Sequence, residues 1–175
     1  MTLHESEYWD DVGRDWKENR PDSLWRAHSD AINTALIEKW LPAALVEGAT
    51  ERVQKRHAEI AILITGRHWK AEYEFYAHAE LARKAGVEEH IIKALAAGRR
   101  PEFSSAEDAT VYDLCTEMLS TRRVSDAIYK RALDTFGMQT LVELIAIMGY
   151  YCMVSITLNA FEAPLPTGEG SPFPD

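Results

Sequence analysis

Along nearly the whole chain, apolar residues return every three or four positions, and strict alternation of apolar and polar residues is rare. A spacing near 3.6 residues puts side chains on one helical face, whereas a strand needs a period of two. The chain therefore reads as all-α. Ser29 to Leu45 sets Ile32, Leu36, Trp40 and Leu41 on one stripe, with Pro42 placed to bend or end that helix. Arg52 to His68 carries Ile60, Leu63 and Ile64 and is expected to lose helical support at Gly66. Ala71 to Ala85 is a second core helix with Gly86 as its left-handed cap, and Glu88 to Ala97 repeats the pattern up to Gly98 and the turn Arg99-Arg100-Pro101. Ser104 and Glu107 have capping-box spacing for a helix to about Ser120, and Ser125 is placed to cap another through Phe136 to Gly137. The last helix, Thr140 to Phe161, is apolar on most sides and is expected to be central or buried in an oligomer interface. Pro164 and Pro166 end it, and the Gly/Pro/Ser tail beyond is expected to be loosely ordered.

Composition narrows the function. A chain of 175 residues is one ordinary domain with room for an arm. Its net charge of −9 argues against a nucleic-acid or anionic-membrane binder, since phosphates need clustered cations. Ten of the acidic residues and four of the five Trp (Trp9, Trp16, Trp25, Trp40) fall in residues 1–50, against five basic ones. The expected organisation is an acidic, Trp-rich helical arm over 1–50, a core domain over 51–168 and a flexible tail over 169–175. The apolar stretch Leu141 to Phe161 is interrupted by Glu143, Tyr150, Tyr151, Ser155, Thr157 and Asn159, so no membrane span is expected. The opening residues lack a cationic signal-type region, and Cys115 and Cys152 are isolated; a reduced, cytoplasmic protein is expected.

The stretch from Glu59 to His78 holds the chemistry. Glu74 and His78 are four residues apart on one helix and share a face. Glu59 interrupts the apolar run of the preceding helix. If the two helices pack as a hairpin across Gly66-Arg67-His68-Trp69, Glu59 faces the Glu74/His78 pair, against Tyr73, Phe75 and Tyr76. A polar triad in an apolar pocket suits proton transfer. The plainer alternatives are a solvated Glu74–His78 contact, pairing of Glu59 with Arg56 or Lys55, and aromatic packing. A metal bound by Glu74 and His78 with His68 or Glu59 is a further alternative, but the Glu-x-x-His repeat of di-iron bundles is missing.

The segment Arg56 to His78, continuing to Gly86, resembles the carboxymuconolactone decarboxylase family, which includes the AhpD-type alkylhydroperoxidases. The ending Gly149 to Pro166, with Asn159-Ala-Phe-Glu-Ala-Pro-Leu-Pro166, resembles that family's last helix and exit. The likeness spans about residues 52 to 168. It implies an AhpD-like helical fold, assembly as a homo-oligomer (trimer or hexamer) and a site near a subunit interface. His78 matches the family's helix histidine and Glu59 the glutamate of the peroxidase proton relay. The peroxidase branch carries Cys-x-x-Cys seven and four residues before that histidine; here Ala71 and Glu74 occupy those positions. Thiol peroxidase chemistry is therefore not expected. A glutamate four before the histidine is what the decarboxylase branch implies. The N-terminal segment Arg20 to Asn33 resembles the opening helices of some class I methyltransferases, but no glycine-rich loop or βαβ pattern follows.

These readings converge on an expected lyase acting by acid/base chemistry on a small carboxylated lactone or ring compound. His78 is the expected proton carrier, Glu74 its orienting partner and Glu59 a second acid/base group. Arg67, His68 and Lys70 are expected carboxylate anchors, with Tyr73 and Trp69 lining the substrate; Arg67 capping the preceding helix is the alternative. The expected partners are a small organic acid and further copies of the chain, with no cofactor, metal, nucleic acid or membrane. The alternatives are an AhpD-like hydroperoxide reductase and a non-catalytic oligomeric binding protein of the same fold.

Overall fold

A computed structural model describes residues 53–174, so the expected arm over 1–50 and its helix from Ser29 to Leu45 lie outside the described residues. The described residues are all-α, as their periodicity demands: α1 (Lys55–His68), α2 (Glu72–Lys84), α3 (Glu89–Ala96), α4 (Ala106–Thr121) and α5 (Asp126–Ala160). No strand occurs among them.

Helix α1 is the axle, touching each of the other four. Its run Ile60 to Gly66 is buried without interruption, so this stretch is enclosed on every side by the rest of the fold. Phe75, Ile91, Leu114, Leu144 and Ile147 close around it from the other helices. Gly66 does not end α1, contrary to the expectation from its low propensity; the helix runs on to His68. The reason is packing. A Cβ on Gly66 would sit 3.5 Å from the backbone nitrogen of Phe75 and 3.6 Å from Cγ of Glu74, ordinary contact distances, so α2 packs directly against α1 at this residue and holds it in the helix. The turn between them closes with the Ala71 amide donating to the Gly66 carbonyl at 2.9 Å.

The other boundaries follow the expected pattern with small shifts. Gly86 and Gly98 take positive φ (84° and 65°) after α2 and α3, as left-handed caps. Helix α4 is capped by Ser105 rather than Ser104: its Oγ accepts from the amides of Glu107 and Asp108, both at 3.2 Å. Ser125 stands at the N-cap position of α5, as expected, but its side chain caps no helix amide; its amide and hydroxyl both donate to Glu117 Oε2. The two helices expected on either side of residues 137–140 form one long element broken at Gly137, whose φ of 75° and ψ of 168° belong to glycine alone. Helix α5 is long and apolar enough to cross a membrane by length and composition, with 44% of its apolar window buried in the fold. The tail is held rather than loose at Phe173, whose ring meets Phe75 edge-on at 5.1 Å and lies under the Arg67 guanidinium at 4.9 Å.

An ionic clamp fixes the start of α1. Arg56 donates through Nε (2.9 Å) and Nη2 (2.7 Å) to Asp108 Oδ2, and also to the Gly86 carbonyl and Glu88. Asp108 is fully buried, and His57 Nε2 stands 3.3 Å from its other oxygen. Burial holds the His57 imidazole below its ordinary pKa despite that neighbour.

Candidate active site

The α1–α2 hairpin brings together the three residues expected to work together. Glu59 points across from α1, and Glu74 and His78 stand one turn apart on α2. His78 Nδ1 is 2.8 Å from Glu59 Oε2, and Nε2 is 3.2 Å from Glu74 Oε1. The first contact is a directed hydrogen bond. The second is an ion pair whose alignment is too poor for one, leaving the buried Glu74 Oε1 without a hydrogen-bond partner. All three side chains are largely out of water, with 14% of His78, 14% of Glu59 and 6% of Glu74 exposed. Tyr151, from α5, places its ring at 4.9 Å and nearly perpendicular to the imidazole.

Burial is the largest single influence on His78 and opposes its charge. The hydrogen bond to Glu59 and the Glu74 carboxylate together outweigh it, so the imidazole pKa is raised to about 9. At neutral pH the ring is an imidazolium between two carboxylates. Burial and the same two carboxylates push the Tyr151 phenol well above its ordinary range. The triad at pH 7 therefore stores a proton rather than accepting one. Its two carboxylates sit on opposite nitrogens of one ring, so they do not converge on a common point as metal ligands would. Among the described residues no group of His, Cys, Asp and Glu is arranged to hold a metal ion.

Beside the triad lies an open cleft of about 410 Å³, lined among others by Lys55, Ala58, Glu59, Leu81, Lys84 and Tyr151. Glu59 and Tyr151 belong to the wall, whereas His78 lies behind them. Lys55 begins α1 and Lys84 ends α2, and an antiparallel hairpin necessarily brings those two ends together. The cleft thus sets apolar side chains beside two exposed lysines at its rim and the Glu59 carboxylate in its wall.

The expected anchors fall elsewhere. Arg67 lies eight residues past Glu59, about 12 Å further along α1 and about 80° around it. Its Nε donates to the Ala96 carbonyl at 2.7 Å, so it caps α3 rather than its own helix. Arg67 and His68 line a different groove with Arg99. Lys70 and Tyr73 line a third, beside Asn159 and Glu162. Trp69 is 38% exposed and its carbonyl accepts from Asn159 Nδ2. Lys84 and Tyr151 are not expected at the site from the sequence, and Lys55 only as an alternative ion-pair partner of Glu59; the antiparallel hairpin carries the signal for the two lysines but not for Tyr151, which arrives from a distant helix.

Comparison with protein-family models, with curated proteins and with solved structures finds no match to this chain. What defines its class is thus the architecture itself, an all-α protein with a carboxylate–imidazolium–carboxylate triad set in a helical hairpin. The opening of that triad onto a lysine-rimmed cleft is the particular feature from which function is argued.

Proposed function

We propose that this chain is an acid/base enzyme of the carboxymuconolactone decarboxylase type. In this reading its AhpD-like helical domain works in the cytoplasm as a trimer or hexamer on a small carboxylated lactone or ring compound. The observation that carries the reading is the imidazolium of His78, buried between Glu59 and Glu74 directly behind the cleft wall. Lys55 and Lys84 hold the anionic end of the substrate at the rim, and Ala58 and Leu81 pack against its ring. As the bond to the departing carboxyl group breaks, its electron pair enters an enolate. The His78 imidazolium hands its proton to the Glu59 carboxylate through the 2.8 Å hydrogen bond, Glu59 delivers it to that carbon, and solvent reprotonates His78. Glu74 keeps the ring charged and oriented, and the lysines offset the enolate's charge.

The thiol alternative lacks its parts. Ala71 and Glu74 stand where the peroxidase pair belongs. Cys115 is fully buried, and that burial, with Cys152 nearby, pushes its thiol up to about 12, far from a thiolate.

The test is CO₂ release from a panel of carboxylated lactones and unsaturated ring acids. Glu59→Gln and His78→Gln are expected to cut turnover by about 10² to 10⁴ while remaining folded. Folded variants turning over at the wild-type rate overturn the reading. Saturable binding without turnover by the wild type replaces it with the non-catalytic binding protein.

A further inference from the structure

The groove that holds Arg67 is a separate place from the triad cleft, sharing none of its lining residues. We propose that it is a second binding site, selective for a single-ring aromatic monocarboxylate.

Four observations lead there. First, the groove gathers the guanidinium groups of Arg67 and Arg99 and the imidazole of His68, with no carboxylate in its wall. In a protein of net charge −9, a patch with cations alone is out of keeping with its surroundings. Second, Arg67 is preorganised. Its Nε is bound to the Ala96 carbonyl at 2.7 Å and its face is stacked on Phe173, which leaves its two terminal nitrogens to a ligand. Third, the close approach depends on a missing methyl. A Cβ on Gly98 would sit 3.2 Å from Arg67 Nη2, so a side chain there strains the backbone at its φ of 65° and pushes the guanidinium by a few tenths of an ångström. Fourth, α4 contributes Tyr112, Thr116 and Ser120 to the wall, so hydroxyl-bearing side chains line the groove together with the arginines.

Size and polarity select the ligand. The groove offers about 150 Å³, close to the volume at which an apolar cavity takes up one benzene-sized molecule. Ile64, Leu95 and Leu119 form its apolar wall. A ring fits against those side chains while its carboxylate meets Arg67 and Arg99, an arrangement that favours the paired donors of a guanidinium over a point charge. A longer molecule extends beyond the groove.

Benzoate is the probe, titrated into the full-length protein and followed by amide chemical shifts of Tyr112, Thr116 and Ser120, with benzamide and inorganic phosphate in parallel. Saturable shifts with benzoate, at least tenfold weaker with either control, are expected. Arg99→Gln and Arg67→Gln are each expected to weaken benzoate by about ten- to a hundredfold, and Gly98→Ala to weaken it through displaced Arg67. Lys84→Gln, in the other cleft, should leave the affinity unchanged. Because Arg67→Gln also removes the cap on α3, Arg99→Gln decides the matter if the first variant unfolds. No saturable shift, equal binding of phosphate, binding unmoved by Arg99→Gln, or binding lost with Lys84→Gln would each overturn the proposal.

Discussion

Two histidines, one on α1 and one on α2, stand in similar company and end in opposite charge states. His57 is buried and His78 largely so, and both have two carboxylates within ion-pair distance. Yet His78 is raised to about 9, while burial leads and His57 is lowered. The difference lies in what else the carboxylates serve. Asp108 is already neutralised by Arg56, and Glu107 is 53% exposed and screened by water. Glu59 and Glu74 have no such cation and little water, so their field falls on the imidazole. The first arrangement is a structural clamp with a neutral histidine beside it. The second is a store for one proton.

The severest way to break this contrast is to remove Arg56. Arg56→Met leaves Asp108 buried with its charge uncompensated and should cost about 3–5 kcal/mol in denaturant unfolding. In any protein that remains folded, the His57 pKa should rise, because Asp108 then lacks another partner; a titration of the ring protons by NMR reads this. An unchanged His57 would mean that Arg56 is not what separates the two sites.

Next is the pH dependence. The folded pKa of His78 lies above its unfolded value of about 6.5, so its contribution is fully present below pH 6.5 and disappears as pH rises through 9. Between those limits wild type should lose stability on the order of 3 kcal/mol relative to His78→Gln. Parallel pH–stability curves for the two proteins would defeat the assignment. Glu59→Gln, which removes the hydrogen bond that is the largest single raising influence, should bring the His78 titration down toward its ordinary value. The smallest effect is expected at the clamp's rim. Glu107→Gln should change stability by less than about 0.5 kcal/mol, as exposed pairs do.

The helices were legible because burial of one face imposes its period on the residues, and the Glu59–Glu74–His78 grouping because a tight turn leaves an antiparallel hairpin few alternatives. What escaped was whatever depends on the direction of a long side chain. Arg67 is adjacent in sequence to the triad's hairpin, yet the helix turns it away and the Ala96 carbonyl, 29 residues distant, holds it. Asp108 reads as an ordinary first-turn acid, and only its separation of 52 residues from Arg56 makes it a buried anchor. Ser104 and Ser105 are alike in chemistry, and capping by Ser105 is settled by a one-residue difference in where the backbone turns. Phe173 sits among residues of turn-forming composition, so nothing local announces that the core receives it.

The close crossing at Gly66 makes the hairpin a lever. Glu59 lies seven residues from it, an arm of about 10 Å along α1, while Glu74 lies against the pivot itself. A methyl group at 66 would meet its neighbours at ordinary contact distance, but a branched side chain would wedge the helices apart there. The angle so opened is multiplied along the arm, and the 2.8 Å gap between Glu59 and His78 is where it would be spent. The acidity of a histidine on one helix is thus geared to the absence of a side chain on the other.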